Sequence, residues 1–465
     1  MSVTIPSDLL STPEWQERLD SLAKKHAVPG VQVGLIALDS EGEVDLRVLT
    51  TGVTSLATGV EVTPETIFQY GSITKIWTTT LIMQLVDEGK LTLDTLVVDV
   101  LPDFKIANSD YSGLITVRHL LTHTSGIDGD LFTDTGYGDD CIEKYVASLS
   151  TASSITAPGG PLSYCNSGFI VAGRIIEVLR GKAWDDVLVD YLYEPLGLSH
   201  VITRTKDAPL FRAAVGHLAS ADPTSEERVV PTKEWALVRA NGPAGVITGT
   251  VEDLLMFASA HMRDGLGLNG KRILSEESVR LMRTPQFDLS TVSTVDQAWG
   301  LGWVLSDWGT ATAVGHAGAT IGQNAILHTF PEAKVAMSIL TNSRGGSLLA
   351  KELETAIGAE LGLTYPKPVA EGVSDDFDSS GLLGTYETTT TRFELTRRED
   401  GQLLLAASAK LDIDGEPDGQ PSQVHMLSNS RFMADPEGSA SEFQHLVIDG
   451  VEFLYGGRLY RKVSD

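Results

Sequence analysis

Ser72 and Lys75 stand three residues apart in Gly71-Ser72-Ile73-Thr74-Lys75. Side chains at that spacing share one face of a helix, so hydroxyl and amine can meet. A serine hydroxyl attacks a carbonyl only when a neighbouring base takes its proton. A lysine can be that base once burial disfavours its charged form. The pair therefore suits acyl transfer through a serine ester, provided both residues open one buried helix. Alone, the same letters also describe a helix-capping serine followed by a surface lysine.

The flanking residues favour the chemical reading. Ile67-Phe68-Gln69-Tyr70 is a short apolar approach, and Gly71 permits a tight turn. Residues 72–89 follow a helical pattern that is apolar nearly all round, through Ile73, Ile76, Trp77, Leu81, Ile82, Met83, Leu85 and Val86. Such a helix is buried. Ser72 would open it, where unpaired backbone N–H groups favour developing negative charge. Position alone would thus supply half of an oxyanion hole. Tyr164-Cys165-Asn166 lies between a Pro/Gly-rich loop at 157–161 and a helical run at 167–180, so a phenol and an amide can both face a cleft. Val314-Gly315-His316-Ala317-Gly318 precedes strand-like runs at 325–330 and 335–340. It reads as the rim strand of an antiparallel sheet, with Gly318 allowing close backbone approach.

An S-x-x-K pair, then Y-x-N, then a strand with a basic residue two before glycine resembles the penicillin-recognising serine hydrolases. Within them the chain is similar to the class C β-lactamase-like group of esterases, D-aminopeptidases and DD-carboxypeptidases. Thr116-Val117-Arg118-His119 followed by Leu120-Leu121-Thr122-His123-Thr124-Ser125-Gly126-Ile127 also resembles a segment of that group. The resemblance covers about residues 10–362. It implies Ser72 as the acylated nucleophile, Lys75 sharing its proton, and Tyr164 as general base and then general acid. It implies Asn166 binding a substrate amide or carbonyl and holding Lys75. His316 would occupy the basic position of the K-T-G strand, with Gly318 after it, and the backbone N–H groups of Ser72 and Ala319 would form the oxyanion hole.

Tyrosine with an ordinary pKa is a poor base at neutral pH, so nearby cations must act on Tyr164; Lys75 and His316 are the candidates. His316 also sets the substrate ranking. A lysine there would attract a substrate carboxylate, whereas a histidine is mostly neutral at pH 7. Ester or peptide-like amide hydrolysis, including D-amino-acid-specific peptidase or amidase activity, therefore ranks above β-lactamase or DD-carboxypeptidase activity. A catalytically silent penicillin sensor or scaffold is the rival from another class, and acyl transfer to an alcohol or amine needs the same residues.

Other motifs receive blander readings. His119 and His123 are four apart, but no H-E-x-x-H surrounds them, and both read as hydrogen-bonded structural histidines. There is no G-x-S-x-G elbow, phosphate loop or dinucleotide fingerprint, so neither cofactor nor metal is expected. Trp77, Trp299, Trp303 and Trp308 read as core or cleft wall, with 299–303 as a strand. Cys141 and Cys165 cannot build a disulfide framework; Cys165 reads as a buried filler.

Lys+Arg total 35 against 62 Asp+Glu, a net charge of −27 that repels nucleic acid and anionic membranes. The expected partner is a small ester, amide or short peptide. No basic-then-apolar leader opens the sequence and no run reaches membrane-helix length, which gives the expectation of a cytoplasmic protein.

At 465 residues, two or three domains are expected. The predicted class is α+β. An antiparallel sheet flanked by helices, with an all-α lobe at about 66–200, forms a β-lactamase/transpeptidase-like unit over 1–363. Helix 13–27 and strands 30–37 and 44–51, hairpinned across Ser40-Glu41-Gly42, begin it; strands near 299–341 and helix 347–361 close it. The cleft would lie between lobe and sheet. Residues 364–380 read as a linker. Segments 384–387, 392–396, 402–406, 423–427, 443–448 and 452–461 read as the strands of a small all-β barrel over 381–465. It resembles the lipocalin-like barrel of some family members. Ligand binding, capping of the cleft and a homo-oligomer contact all remain open for it.

Overall fold

In the computed structural model, residues 5–39, 43–220, 228–374, 376–410, 421–435 and 441–464 are described. The turn expected at Ser40-Glu41-Gly42 lies outside them. The strands it would join, Gly30–Leu38 and Val44–Gly52, pair antiparallel as expected. Two large antiparallel sheets organise the chain.

The first sheet has eight strands and runs outward from Val44–Gly52 through Gly30–Leu38, Val335–Thr341, Gln323–Phe330 and Thr312–Thr320 to three short strands. Gly30–Leu38 is buried along nearly its whole length, because helices cover both faces of the sheet. Pro13–Lys25 and Gly346–Glu360 pack with Trp15, Leu19, Leu349 and Leu353 on one face. Thr74–Asp87 and Val251–Met262 belong to the core on the other, where Trp77 and Phe257 stack at 3.7 Å.

Thr312–Thr320 is not the rim strand expected. Val304–Asp307 pairs with it, but only over Thr312 to Gly315. From His316 onward, that side of the strand faces helical residues instead of another strand. The strand expected at 299–303 is also different: Asp296–Trp299 and Val304–Asp307 are separate strands joined by a turn. Gly302 has φ +71, and a Cβ there would lie 2.5 Å from Thr79 Oγ1, so the turn is pressed against the buried helix.

Between the sheet's early and late strands lie the helices of the lobe. Asn166–Arg180 packs against Thr74–Asp87 with Phe169, Ile170, Ile175 and Ile176 buried. Twelve consecutive residues of the latter helix, Thr74 to Leu85, are buried. Three threonine hydroxyls in this stretch donate to backbone carbonyls: Thr78 to Pro243, Thr79 to Lys75 and Thr80 to Ile76, each at 2.8 Å.

The second sheet has nine antiparallel strands within residues 384–464. Its two ends are Ser422–Gln423 and His425–Met426, almost adjacent in sequence, so the sheet curls into a nearly closed barrel. Phe393, Phe432, Phe443, Leu405 and Tyr386 fill its interior. The single strand expected at 452–461 is a hairpin, Val451–Tyr455 and Leu459–Ser464, with Gly456, Gly457 and Arg458 at its tip. Gly457 has φ +81, a backbone state that breaks the strand there.

That tip docks on the first sheet's lobe. Tyr164 N–H donates to Gly457 O at 3.0 Å, and Leu459 N–H donates to Ser163 Oγ at 3.1 Å. Leu162, Leu289, Trp299, Phe453, Tyr455 and Leu459 form one mixed apolar cluster. Nearby, Asp128 Oδ2 accepts from both the N–H and the hydroxyl of Thr389. Among the described residues no helix is long and apolar enough to cross a membrane.

Candidate active site

Tyr70 is buried and anchors the approach by donating its hydroxyl to Thr250 O at 2.6 Å. Gly71 then turns the chain with φ +54. Gly71–Ile73 forms a tight turn that feeds directly into Thr74–Asp87. Ser72 is half-exposed in this turn, while Lys75 is fully buried one turn along.

Lys75 Nζ lies 3.0 Å from Ser72 Oγ and donates to Ala244 O at 2.7 Å. Burial pushes the ammonium well below its usual range; Asp130 opposes this and Arg458 reinforces it. A lysine so placed gives up its proton more readily than a solvated one, and the neutral amine is the form that accepts a proton.

The turn abuts the strand Thr312–Thr320. A Cβ on Gly318 would lie 2.0 Å from Tyr70 O and 3.1 Å from Ser72 N; one on Gly71 would lie 2.6 Å from Ala319 N. Only glycine lets these two backbones approach so closely. The backbone nitrogens of Ser72 and Ala319 are thus brought close together where the turn meets the strand. A cavity of about 190 Å³ opens there, lined by Ser72, Asn166 and Ala319 among others.

Tyr164 faces the same pair. Its ring centroid is 4.9 Å from Lys75 Nζ. The ring is stacked on His123 at 4.1 Å and meets Trp299 edge-on at 5.9 Å. His316 touches the same aromatic group, 6.2 Å from Tyr164 and 5.6 Å from Trp299. Trp299 is thus cleft wall. The Tyr164 hydroxyl, His123 Nε2 and His316 Nε2 are buried with no hydrogen-bond partner among the described residues. Unpaired buried polar atoms are costly, and here all three belong to one aromatic group centred on Tyr164.

The electrostatics correct two expectations. Burial raises the Tyr164 phenol well above its ordinary range, and of the groups that favour its ionised form, Ser72 and Arg458 are the main ones. His316 is not one of them: burial, with Lys75 beside it, lowers the imidazole to about 3, so it is neutral. Its Nδ1 lies 2.5 Å from Ala317 O. A neutral ring must donate there, which leaves Nε2 as an acceptor. Asn166 does not hold Lys75. Its Nδ2 donates to Asp130 Oδ1 at 2.7 Å. Residue 166 opens the helix capped by the Cys165 sulfur, so its amide turns toward the loop that carries Asp130.

Two neighbours, Asp130 and Arg458, escaped the sequence reading, and His123, read only as a structural histidine within the 120–127 segment, proves to stack on Tyr164. Asp130 had no motif of its own. Arg458 comes from the barrel hairpin, nearly 300 residues beyond Tyr164 in the sequence. It forms an ion pair with Asp130, and its guanidinium sits 4.9 Å from the Tyr164 ring centroid. Burial works against its charge, but Asp130 holds it protonated. Reading 452–461 as one straight strand hid the tip that carries it.

His119 accepts at Nδ1 from Thr116 N–H at 3.2 Å and belongs to a helix cap. His123 accepts from Cys165 N–H at 2.8 Å. Cys141 and Cys165 are free and buried, and burial pushes the Cys165 thiol up to about 12, which makes it inert.

The sequence model of the Beta-lactamase family matches residues 15–360, about three quarters of the chain. The chain belongs to the β-lactamase family. Penicillin-binding protein 4 of Amycolatopsis lactamdurans is 39% identical over 377 residues, covering 80% of this chain and 97% of that protein. The crystal structure of SurE superposes with a TM-score of 0.71 at 25% identity, covering 96% of this β-lactamase-family chain and 98% of that one. A D-amino acid amidase from Ochrobactrum anthropi SV3, complexed with L-phenylalanine amide, superposes with a TM-score of 0.60 at 23% identity, covering 74% and 97%. The α+β fold is that of the β-lactamase family, and the protein is a serine hydrolase of that family followed by a barrel-like sheet. Arg458, which pairs with Asp130 beside the Tyr164 ring, lies beyond the family-matched segment 15–360.

Proposed function

We propose that this hydrolase cleaves a carboxylic ester or a peptide-like amide through an acyl-enzyme on Ser72. The 3.0 Å contact between Ser72 Oγ and a fully buried Lys75 carries the reading. Neutral Lys75 takes the Ser72 proton as the Ser72 oxygen bonds to the substrate carbonyl carbon. The oxyanion rests against the N–H groups of Ser72 and Ala319. As the C–O or C–N bond breaks, the leaving group receives a proton from Lys75 through the Tyr164 hydroxyl. Water then attacks the acyl carbon, gives its proton back along the same route, and Ser72 is regenerated. The high phenol pKa makes Tyr164 a proton carrier in its neutral form and leaves Lys75 as the resting base.

Substrate charge follows from the two basic residues. His316 is neutral and offers an acceptor, and the Arg458 charge is paired with Asp130. Neither is a free cation for a substrate carboxylate, which supports neutral esters and amides over carboxylate-bearing β-lactams. The superposed D-amino acid amidase supports an amide, on fold alone. A second reading, acylation by penicillin with slow release, is favoured by the relative at 39% identity. Turnover of p-nitrophenyl esters, D-amino acid p-nitroanilides and nitrocefin under one set of conditions tests the ranking. Esters or amides should lead; a higher nitrocefin rate would reverse it, and a stoichiometric nitrocefin burst without turnover would select the second reading.

A further inference from the structure

His123 is held at φ +58, in the left-handed region that residues with a side chain rarely enter. It is fully buried, and this turn lets one residue present both its carbonyl and its ring to a single segment. The carbonyl accepts from Ser163 N–H at 3.0 Å, and Nδ1 accepts from Cys165 N–H at 2.8 Å. Between these two, Tyr164 N–H donates to Gly457 O at 3.0 Å. Three consecutive N–H groups are thus tied alternately to His123 and to the barrel hairpin. That fixes the backbone from which the Tyr164 side chain projects.

The same residue also holds the phenol ring. His123 and Tyr164 stack at 4.1 Å with 25° between their planes. Trp299 at 4.7 Å and Phe169 at 5.1 Å hem the imidazole in. Burial, reinforced by Lys75 and His316, keeps it neutral, so with Nδ1 accepting, the proton sits on Nε2. That N–H has no partner among the described residues. A phenylalanine would keep the stack without an orphaned N–H, but would leave Cys165 N–H unpaired. An asparagine suits the backbone and can accept the bond, but has no ring to stack. Histidine supplies both, and both act on the segment around Tyr164.

We infer that His123 is a positioning residue: with its carbonyl, its Nδ1 and its ring face it holds the Tyr164 phenol on the Ser72–Lys75 pair, and so governs delivery of the proton to the leaving group. This rests on the proton route through Tyr164 proposed above and adds the residue that sets its geometry.

The test is kcat/KM for p-nitrophenyl and benzyl esters of one acid. Nitrophenolate departs at neutral pH without a proton, whereas an alkoxide needs one. Loss of positioning should therefore slow the benzyl ester far more. In His123→Ala the nitrophenyl-to-benzyl ratio should rise about a hundredfold, the scale of a 1 Å misplacement. His123→Asn, which keeps the acceptor, should show a smaller rise. Partial unfolding lowers both rates equally and leaves the ratio where it was. Tyr164→Phe should raise the ratio at least as far as His123→Ala, and adding His123→Asn to Tyr164→Phe should raise it no further. An unmoved ratio in both His123 variants, with the ratio raised in Tyr164→Phe, overturns the inference and leaves the proton route standing. A double variant whose ratio exceeds that of Tyr164→Phe also overturns it, because His123 then acts by another path. An unmoved ratio in Tyr164→Phe, or a wild type unable to cleave the benzyl ester, removes the proton route and the inference with it.

Discussion

Replacing Arg458 by alanine should move the pH–rate profile, and the structure fixes both sign and size. Lys75 Nζ and the Arg458 guanidinium each lie 4.9 Å from the Tyr164 ring centroid, so they are no more than about 10 Å apart. At an effective dielectric of about 20, two charges at 10 Å repel by roughly 1.5 kcal/mol, or about one pH unit. That repulsion helps hold Lys75 neutral. Without Arg458, Asp130 loses its counter-ion and favours the charged lysine. The amine must be deprotonated to act, so kcat/KM rises with pH through the Lys75 pKa. In Arg458→Ala this rising limb should shift to higher pH by about one unit. Activity on a neutral ester would fall about tenfold below the limb and recover above it. Asp130→Asn should shift the limb the other way, and Arg458→Lys should restore most of it. Stopped-flow or plate-reader rates from pH 5 to 10 suffice. A uniform loss at every pH, with no displacement of the limb, would refute the electrostatic argument and reduce Arg458 to a docking residue.

Lys75→Ala should abolish ester turnover while a melting curve stays cooperative; near wild-type kcat would discard the serine–lysine pair. Gly318→Ala forces a Cβ to within 2.0 Å of Tyr70 O and must push the strand off the helix mouth. Displacements of about 1 Å cost on the order of a hundredfold in rate, so kcat should drop that far with far-UV circular dichroism unchanged. Acid stability follows from His261, buried beside Thr80 with its pKa lowered to about 3 by desolvation. Between pH 3 and 6.5 the unfolded chain binds a proton at this site that the folded chain refuses, so stability rises with pH through that window. At pH 5 the penalty is about 2 kcal/mol. His261→Leu should therefore flatten the fall in Tm between pH 6.5 and 5, and an unchanged slope would contradict the assignment.

The sequence made the serine–lysine helix legible because three signals coincide: a turn glycine, i,i+3 spacing and an apolar run on every side. The Y-x-N loop and Gly318 were legible for similar local reasons, as residue types that backbone geometry restricts. What could not be read depends on distance along the chain. Asn166 turns to Asp130 rather than to Lys75 because a loop 36 residues earlier folds beside it. His316 is a neutral acceptor through its depth and its neighbour Ala317, which no spacing rule reveals. Arg458 required two unknowns together, the break at Gly457 and the docking of the barrel on Ser163 and Tyr164. The strand expected at 299–303 failed for a related reason: glycines at 300 and 302 mark a turn pressed against another helix, while Trp299, Leu301 and Trp303 alternating with them imitate a strand.

The most direct test of the whole account is intact-protein mass spectrometry after a fluorophosphonate probe, followed by peptide mapping. The account predicts one adduct per chain, on Ser72, absent in Ser72→Ala, and forming along the same rising pH limb as ester turnover. An adduct on another residue, or none in a folded protein, would contradict it.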